Sequence, residues 1–181
     1  NGTANRDIYV ESEQEIGGLL ESAGVDQVDY RTAIVNPLVR NEEILYQLNG
    51  MSMYSSTNTE EMWNFVKNMG FENLENRFQY AGSTEVMDML LGIRYLFCRN
   101  TRTLHTAYKK IAESQSFDLY ENPRALRSGY MVSDSVLDYA MEGTDPLEVQ
   151  NRLLSGIVGK RLYKMQTVNS DTALIGNTTF N

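Results

Sequence analysis

The feature that most restricts this chain is an alternation of helices with marked ends and short segments of strand character. Ser12 stands three residues before Glu15 as a capping box, Ile16, Leu19, Leu20 and Ala23 form one apolar face, and Gly24 follows as a stop. Thr57 or Asn58 can cap a second helix. Glu60 or Glu61 can reach back to that cap, and Met62, Phe65, Val66 and Met69 recur at helical spacing before Gly70. Ser83 or Thr84 opens a short third helix through Val86, Met87, Leu90 and Leu91 to Gly92. Asp145-Pro146 opens a fourth, with proline at its first position and Gly159 at its close.

Between these helices, strand character falls on Asp29 to Val35, Arg77 to Tyr80, Ile93 to Cys98, Phe117 to Tyr120, Gly129 to Val132 and Arg161 to Met165. Helix-to-strand crossovers in the first half and strand-rich sequence in the second predict an α/β or α+β fold. The expectation is a single domain over residues 1–181, with a mixed sheet flanked by about four helices. No repeat or linker divides the chain. A soft point is expected at Glu113-Ser-Gln-Ser116.

Composition removes several functional classes. A net charge of −8 opposes nucleic-acid binding, which draws its affinity from Lys and Arg on phosphates. One cysteine, Cys98, within an apolar run reads as a buried reduced thiol. With His105 as the single histidine, a tetrahedral zinc site lacks ligands, and no metal or cofactor is expected. A Ser/His nucleophile finds no Gly-x-Ser-x-Gly elbow, and no phosphate-cradling glycine loop occurs. No apolar run approaches the roughly 20 residues of a membrane span, and no signal peptide is read. The opening Asn1-Gly2-Thr3, without Met, implies a processed or excised segment.

Arg94, Arg99, Arg102, Lys109 and Lys110 lie in a stretch without acids, so they read as a solvated basic strip or a contact for an anionic polymer. Glu85 and Asp88, three apart, share a helix face. They read as solvated side chains or as the carboxylate pair of a glycoside hydrolase. Glu42-Glu43 and Glu60-Glu61 read as first-turn acids. The tyrosines, including Tyr46, Tyr54, Tyr80, Tyr120 and Tyr130, offer either half-buried packing or stacking faces for sugar rings.

Three stretches in order carry a resemblance. They are Leu45 to Thr57, leading to Met69-Gly-Phe71; Leu90-Leu-Gly-Ile-Arg-Tyr-Leu-Phe97; and Leu119-Tyr-Glu-Asn-Pro-Arg-Ala-Leu126 with Gly129-Tyr-Met-Val132. Over about residues 28–160 the chain resembles the YfhO family of bacterial membrane proteins, in the soluble part that follows a many-helix membrane region. The resemblance implies relatedness to lipid-phosphate-sugar glycosyltransferases that glycosylate wall polymers such as lipoteichoic acid, with the catalytic acid in the membrane region. The chain would then be a non-catalytic extracytoplasmic domain at the cell membrane. Its partners would be the membrane region of the same polypeptide and a cell-wall glycopolymer or glycolipid. A carbohydrate-binding module and a soluble glycoside hydrolase are the alternatives.

Within these motifs, Gly50 reads as a turn residue and the Ser/Thr run as a helix start. The run Ser55 to Thr59 is longer than a single cap requires. Asn49, Tyr54, Ser55, Ser56, Thr57, Tyr120 and Asn122 are therefore the candidate ligand-binding residues, and no catalytic residue is assigned.

Overall fold

A computed structural model describes residues 6–74, 77–100, 108–139, 143 and 145–158. In chain order the elements are α1 (Arg6–Ala23), β1 (Arg31–Val35), α2 (Glu42–Leu45), β2 (Met53–Tyr54), α3 (Glu60–Asn68), β3 (Asn73–Leu74) and β4 (Arg77–Phe78). There follow α4 (Glu85–Leu90), β5 (Ile93–Arg99), β6 (Lys109–Glu113), β7 (Phe117–Glu121), a 3-10 turn (Asp134–Asp138) and α5 (Pro146–Val158). The main sheet runs β1-β5-β7-β6, with β1 and β5 parallel and the other pairs antiparallel. A small antiparallel sheet runs β2-β4-β3. This is the expected mixed α+β domain.

The central strand β5 is buried along almost its whole length, as its near-continuous apolar run requires. Arg31 pairs with Ile93 while Thr32 pairs with Tyr95, so Arg94 is the extra residue of a bulge. The bulge reverses the alternation. Tyr95 and Phe97 join the core beneath α1, whereas Ile93 and Leu96 join the opposite one. Phe97 meets Phe117 edge to face at 6.1 Å and 86°. A third core, of Val66, Met69, Phe71, Met87 and Leu154, gathers α3, α4 and α5 around the small sheet.

Helix ends follow the sequence with instructive exceptions. Gly24, Gly70 and Gly92 all have positive φ at helix stops, and Val25 N–H donates to the Leu20 carbonyl at 3.0 Å to close α1. Thr84 caps α4, and Asp145 accepts from Leu147 N–H at 2.9 Å at the start of α5. The cap of α3 is Thr59, whose hydroxyl accepts from Met62 N–H at 3.3 Å, and not Thr57 or Asn58. Thr57 N–H instead donates to Ser55 Oγ at 3.1 Å, which makes the preceding residues a turn of their own.

The capping box at Ser12 is corrected. α1 begins at Arg6, Ser12 is buried inside it, and Glu15 reaches across the fold to the turn between β6 and β7. There it accepts from Ser114 Oγ at 2.5 Å, Ser116 Oγ at 2.8 Å and Ser116 N–H at 2.8 Å. Burial pushes its carboxyl up, but these bonds together hold it below the ordinary value. The expected soft point at 113–116 is therefore a pinned hairpin turn.

Gly129 to Val132 forms no strand. Tyr130 donates its hydroxyl to the Leu90 carbonyl at 3.1 Å, and Met131 is 96% exposed. The outer edge of β1 is already covered, because Thr32 N–H donates to the Asn49 carbonyl and Ile34 N–H to Glu43. Arg77 to Tyr80 pairs only over Arg77–Phe78. Gly159 and Arg161 to Met165 lie outside the described residues, as do Arg102 and His105.

Gly50 is needed for closeness and not for a left-handed turn. A Cβ there would sit 2.2 Å from Glu43 Oε2 and 2.6 Å from Glu43 Cβ. Gly50→Ala is expected to destabilise the domain by about 1–3 kcal/mol, the usual range for overpacking a filled site. Urea unfolding would measure it, and a midpoint equal to that of the unsubstituted chain would refute the contact.

Candidate functional site

Among the described residues three carboxylates are almost fully buried: Glu42, Glu43 and Asp88 are 1, 1 and 3% exposed. Such groups need donors, since a buried unpaired charge is costly. Glu42 and Glu43 find theirs as scaffolding. Glu42 is ion-paired with Arg99 and accepts from Tyr46 Oη at 3.1 Å and Leu38 N–H at 2.6 Å. Glu43 accepts from Ile34 N–H at 3.0 Å, Ser52 Oγ at 3.0 Å and Ser52 N–H at 2.8 Å, and burial pushes its carboxyl up. As first-turn acids of α2 they match the sequence reading, but both point inward.

Asp88 is different, because it lines an open cleft of about 310 Å³ with Asn36, Tyr80, Ser83, Glu85 and Tyr108. The cleft lies where β1 ends at Val35 and Asn36, beside the N-terminal turn of α4. Thr84 begins that helix, which places Ser83 before it and Asp88 on its buried side. Tyr80 and Tyr108 donate to Asp88 Oδ2 at 2.8 and 2.7 Å, and Ser83 donates to Oδ1 at 2.5 Å. Burial pushes the Asp88 carboxyl up, against the downward pull of the three hydroxyls. Burial first, then the Asp88 charge and hydrogen bond, push both tyrosines far up, so their protons stay on oxygen.

Asp88 is thus not the solvated side chain expected from its neighbours. Glu85 is exposed and pairs with Arg124 at 2.8 Å. The two acids share the cleft, but one is a buried hydrogen-bond acceptor and the other a rim ion pair. Ser83 was visible in the sequence only as a capping candidate, and Tyr108 carried no local signal.

The residues proposed from the sequence are dispersed. Asn49 donates from Nδ2 to the Tyr30 carbonyl at 3.0 Å and fastens the edge of β1. Tyr54 is exposed on β2 beneath the Arg40 guanidinium, 4.5 Å from its ring centre. Ser55 and Thr57 share a 2.8 Å hydrogen bond beside the exposed Ser56, so Tyr54 to Thr57 form one continuous surface edge. Tyr120 lies on β7 of the main sheet, and Asn122 follows the end of that strand. Tyr120 donates to Asp118 at 3.4 Å. Asn122 is buried, donating to the Ile93 carbonyl at 3.2 Å and accepting from Arg124 N–H at 3.0 Å.

The basic strip is solvated only in part. Arg94 pairs with Glu121 at 2.6 Å and covers the Tyr30 ring at 4.6 Å, while Lys110 pairs with Glu113 and Asp118. Arg99 is buried. Arg94 and Arg99 are thus engaged within the fold, Lys109 and Lys110 stay exposed, and Arg102 lies outside the described residues. Cys98 is buried and forms no disulfide, as expected.

A family model described as bacterial membrane protein YfhO matches residues 4–179. No curated protein and no solved structure matches the chain. Among the described residues no helix is long and apolar enough to cross a membrane.

Proposed function

The chain belongs to the YfhO family of bacterial membrane proteins, and on that premise we propose that it is a non-catalytic extracytoplasmic domain of a multi-spanning, glycosyltransferase-like protein. It supports the membrane region of the same polypeptide and positions a cell-wall glycopolymer or glycolipid such as lipoteichoic acid. The family match carries this reading. The carboxylate chemistry agrees with it, because Glu42 and Glu43 are consumed by the scaffold and Asp88 is held by three hydroxyls. The exposed edge from Tyr54 to Thr57, with Arg40 over the Tyr54 ring, supplies the stacking face and hydroxyls that an acceptor sugar requires.

Alkaline phosphatase fused after this domain in the intact membrane protein should be active, and a green fluorescent protein at the same position dark. The opposite pattern would overturn the extracytoplasmic placement. For the acceptor edge, Tyr54→Ala is expected to lower glycan transfer by the intact protein while leaving the unfolding midpoint of this exposed site unchanged. Undiminished transfer would remove Tyr54 from the acceptor site.

A further inference from the structure

The Asp88 cleft has a chemical bias that goes beyond the proposed placement and acceptor role. A tyrosine hydroxyl carries one proton, and those of Tyr80 and Tyr108 are both directed at Asp88 Oδ2. Their oxygens can therefore only accept hydrogen bonds from anything in the cleft. Ser83 directs its proton to Oδ1, and Glu85 at the rim is a further acceptor. The polar groups gathered around Asp88 are thus acceptors toward the cleft, with the Asn36 side-chain amide the neutral donor in the lining.

Charge points the same way. Three donated hydroxyl protons are the arrangement an ionised carboxylate requires, yet among the described residues Asp88 has no ion-pair partner. Arg124 is paired with Glu85. Glu42, by contrast, meets Arg99 in the same fold. A buried carboxylate satisfied by neutral hydroxyls and opening on a cleft lacks only a cation. Such a wall suits a ligand that donates several protons from one compact positive group, and the two phenol rings add faces that attract such a group.

From this geometry we propose that the cleft walled by Asp88, Tyr80, Tyr108 and Ser83 binds the primary ammonium group of a cationic ligand. Three N–H donors of an ammonium match the acceptors supplied by Asp88 Oδ1 and the two phenol oxygens, while Val35 and Leu96 offer apolar contact to the carbon skeleton. A guanidinium is planar and a neutral sugar brings no charge, so each would satisfy the wall less fully.

Cyclohexylamine is the probe, with cyclohexanol as the neutral analogue of equal shape and glucose as the polyol. Titration of the isotope-labelled chain should give saturable amide shifts, converging on residues 80–88 and 108, for the amine alone at millimolar concentration. Asp88→Asn should weaken the binding about tenfold or more, the loss that accompanies removal of a charged hydrogen-bond acceptor. Where that variant fails to fold, Tyr108→Phe, which keeps the ring, should weaken it by a smaller factor. Equal shifts with cyclohexanol or glucose would overturn the ammonium assignment. So would shifts spread over the acidic surface, or no response of the folded chain to the amine. None of these results depends on which side of the membrane the domain occupies, so the topology reporters fail or succeed separately.

Discussion

Arg99→Met is expected to destabilise the domain by about 3–5 kcal/mol, the cost of stripping one partner from a buried ion pair. Arg99 closes β5, is 9% exposed, and joins four elements. Its Nη2 donates to Glu42 on α2, its Nη1 lies 3.4 Å from Ser12 Oγ on α1, and its guanidinium rests 4.4 Å from the centre of the Phe117 ring on β7. Methionine would fill most of the space but leave Glu42 charged, with only Leu38 N–H and Tyr46 Oη as donors. Urea unfolding of the single variants and of Arg99→Met/Glu42→Gln would complete the cycle. The double variant should recover part of the loss, because the orphaned charge is gone. An Arg99→Met loss below about 1 kcal/mol, as for surface pairs, would mean that the pair is solvated and the assignment is wrong.

The fate of Arg99 also explains what was legible in the sequence. Local patterns determined the helices α3 and α4, the glycine stops and the buried run of β5, because periodicity and caps act over a few residues. Side-chain partners act over any distance. Ser12 and Glu15 have the spacing of a capping box, yet Glu15 serves a turn about a hundred positions away because the hairpin brings Ser114 and Ser116 beneath α1. Arg94 and Arg99 read as a solvated strip for the same reason, their acids Glu121 and Glu42 lying in other elements. Strand β6 escaped notice because an edge strand carries charges, here Lys109, Lys110 and Glu113, in place of an apolar alternation. The cleft was half visible. Ser83 and Asp88 share the start of α4, but Tyr80 and Tyr108 arrive from before β5 and after it, and only the sheet places both hydroxyls on one oxygen.

Glu43 supplies the second large effect, because it joins α2 to two backbone segments at once. Glu43→Ala is expected to cost about 3 kcal/mol or more, since it orphans the buried Ile34 N–H and the Ser52 N–H at roughly 1–3 kcal/mol each. It also opens a cavity under Gly50, where Glu43 atoms now fill the space a Cβ would need. The conservative Glu43→Gln costs less than Glu43→Ala because it keeps the shape of the side chain, and its pH dependence carries the sharper test. Burial raises the Glu43 carboxyl above its ordinary value of 4.5, so between that value and the raised one the folded chain holds more protons than the unfolded chain. Stability from this group is therefore complete below the ordinary value and falls as pH rises through the raised one. Glutamine does not titrate, so the stability gap between the unsubstituted chain and Glu43→Gln should narrow as pH rises above 4.5. Asp88, raised by burial in the same direction, contributes equally to both chains and cancels in the difference. A gap that widens with pH would mean that Glu43 is stabilised as an anion in the fold, and that its backbone donors outweigh its burial.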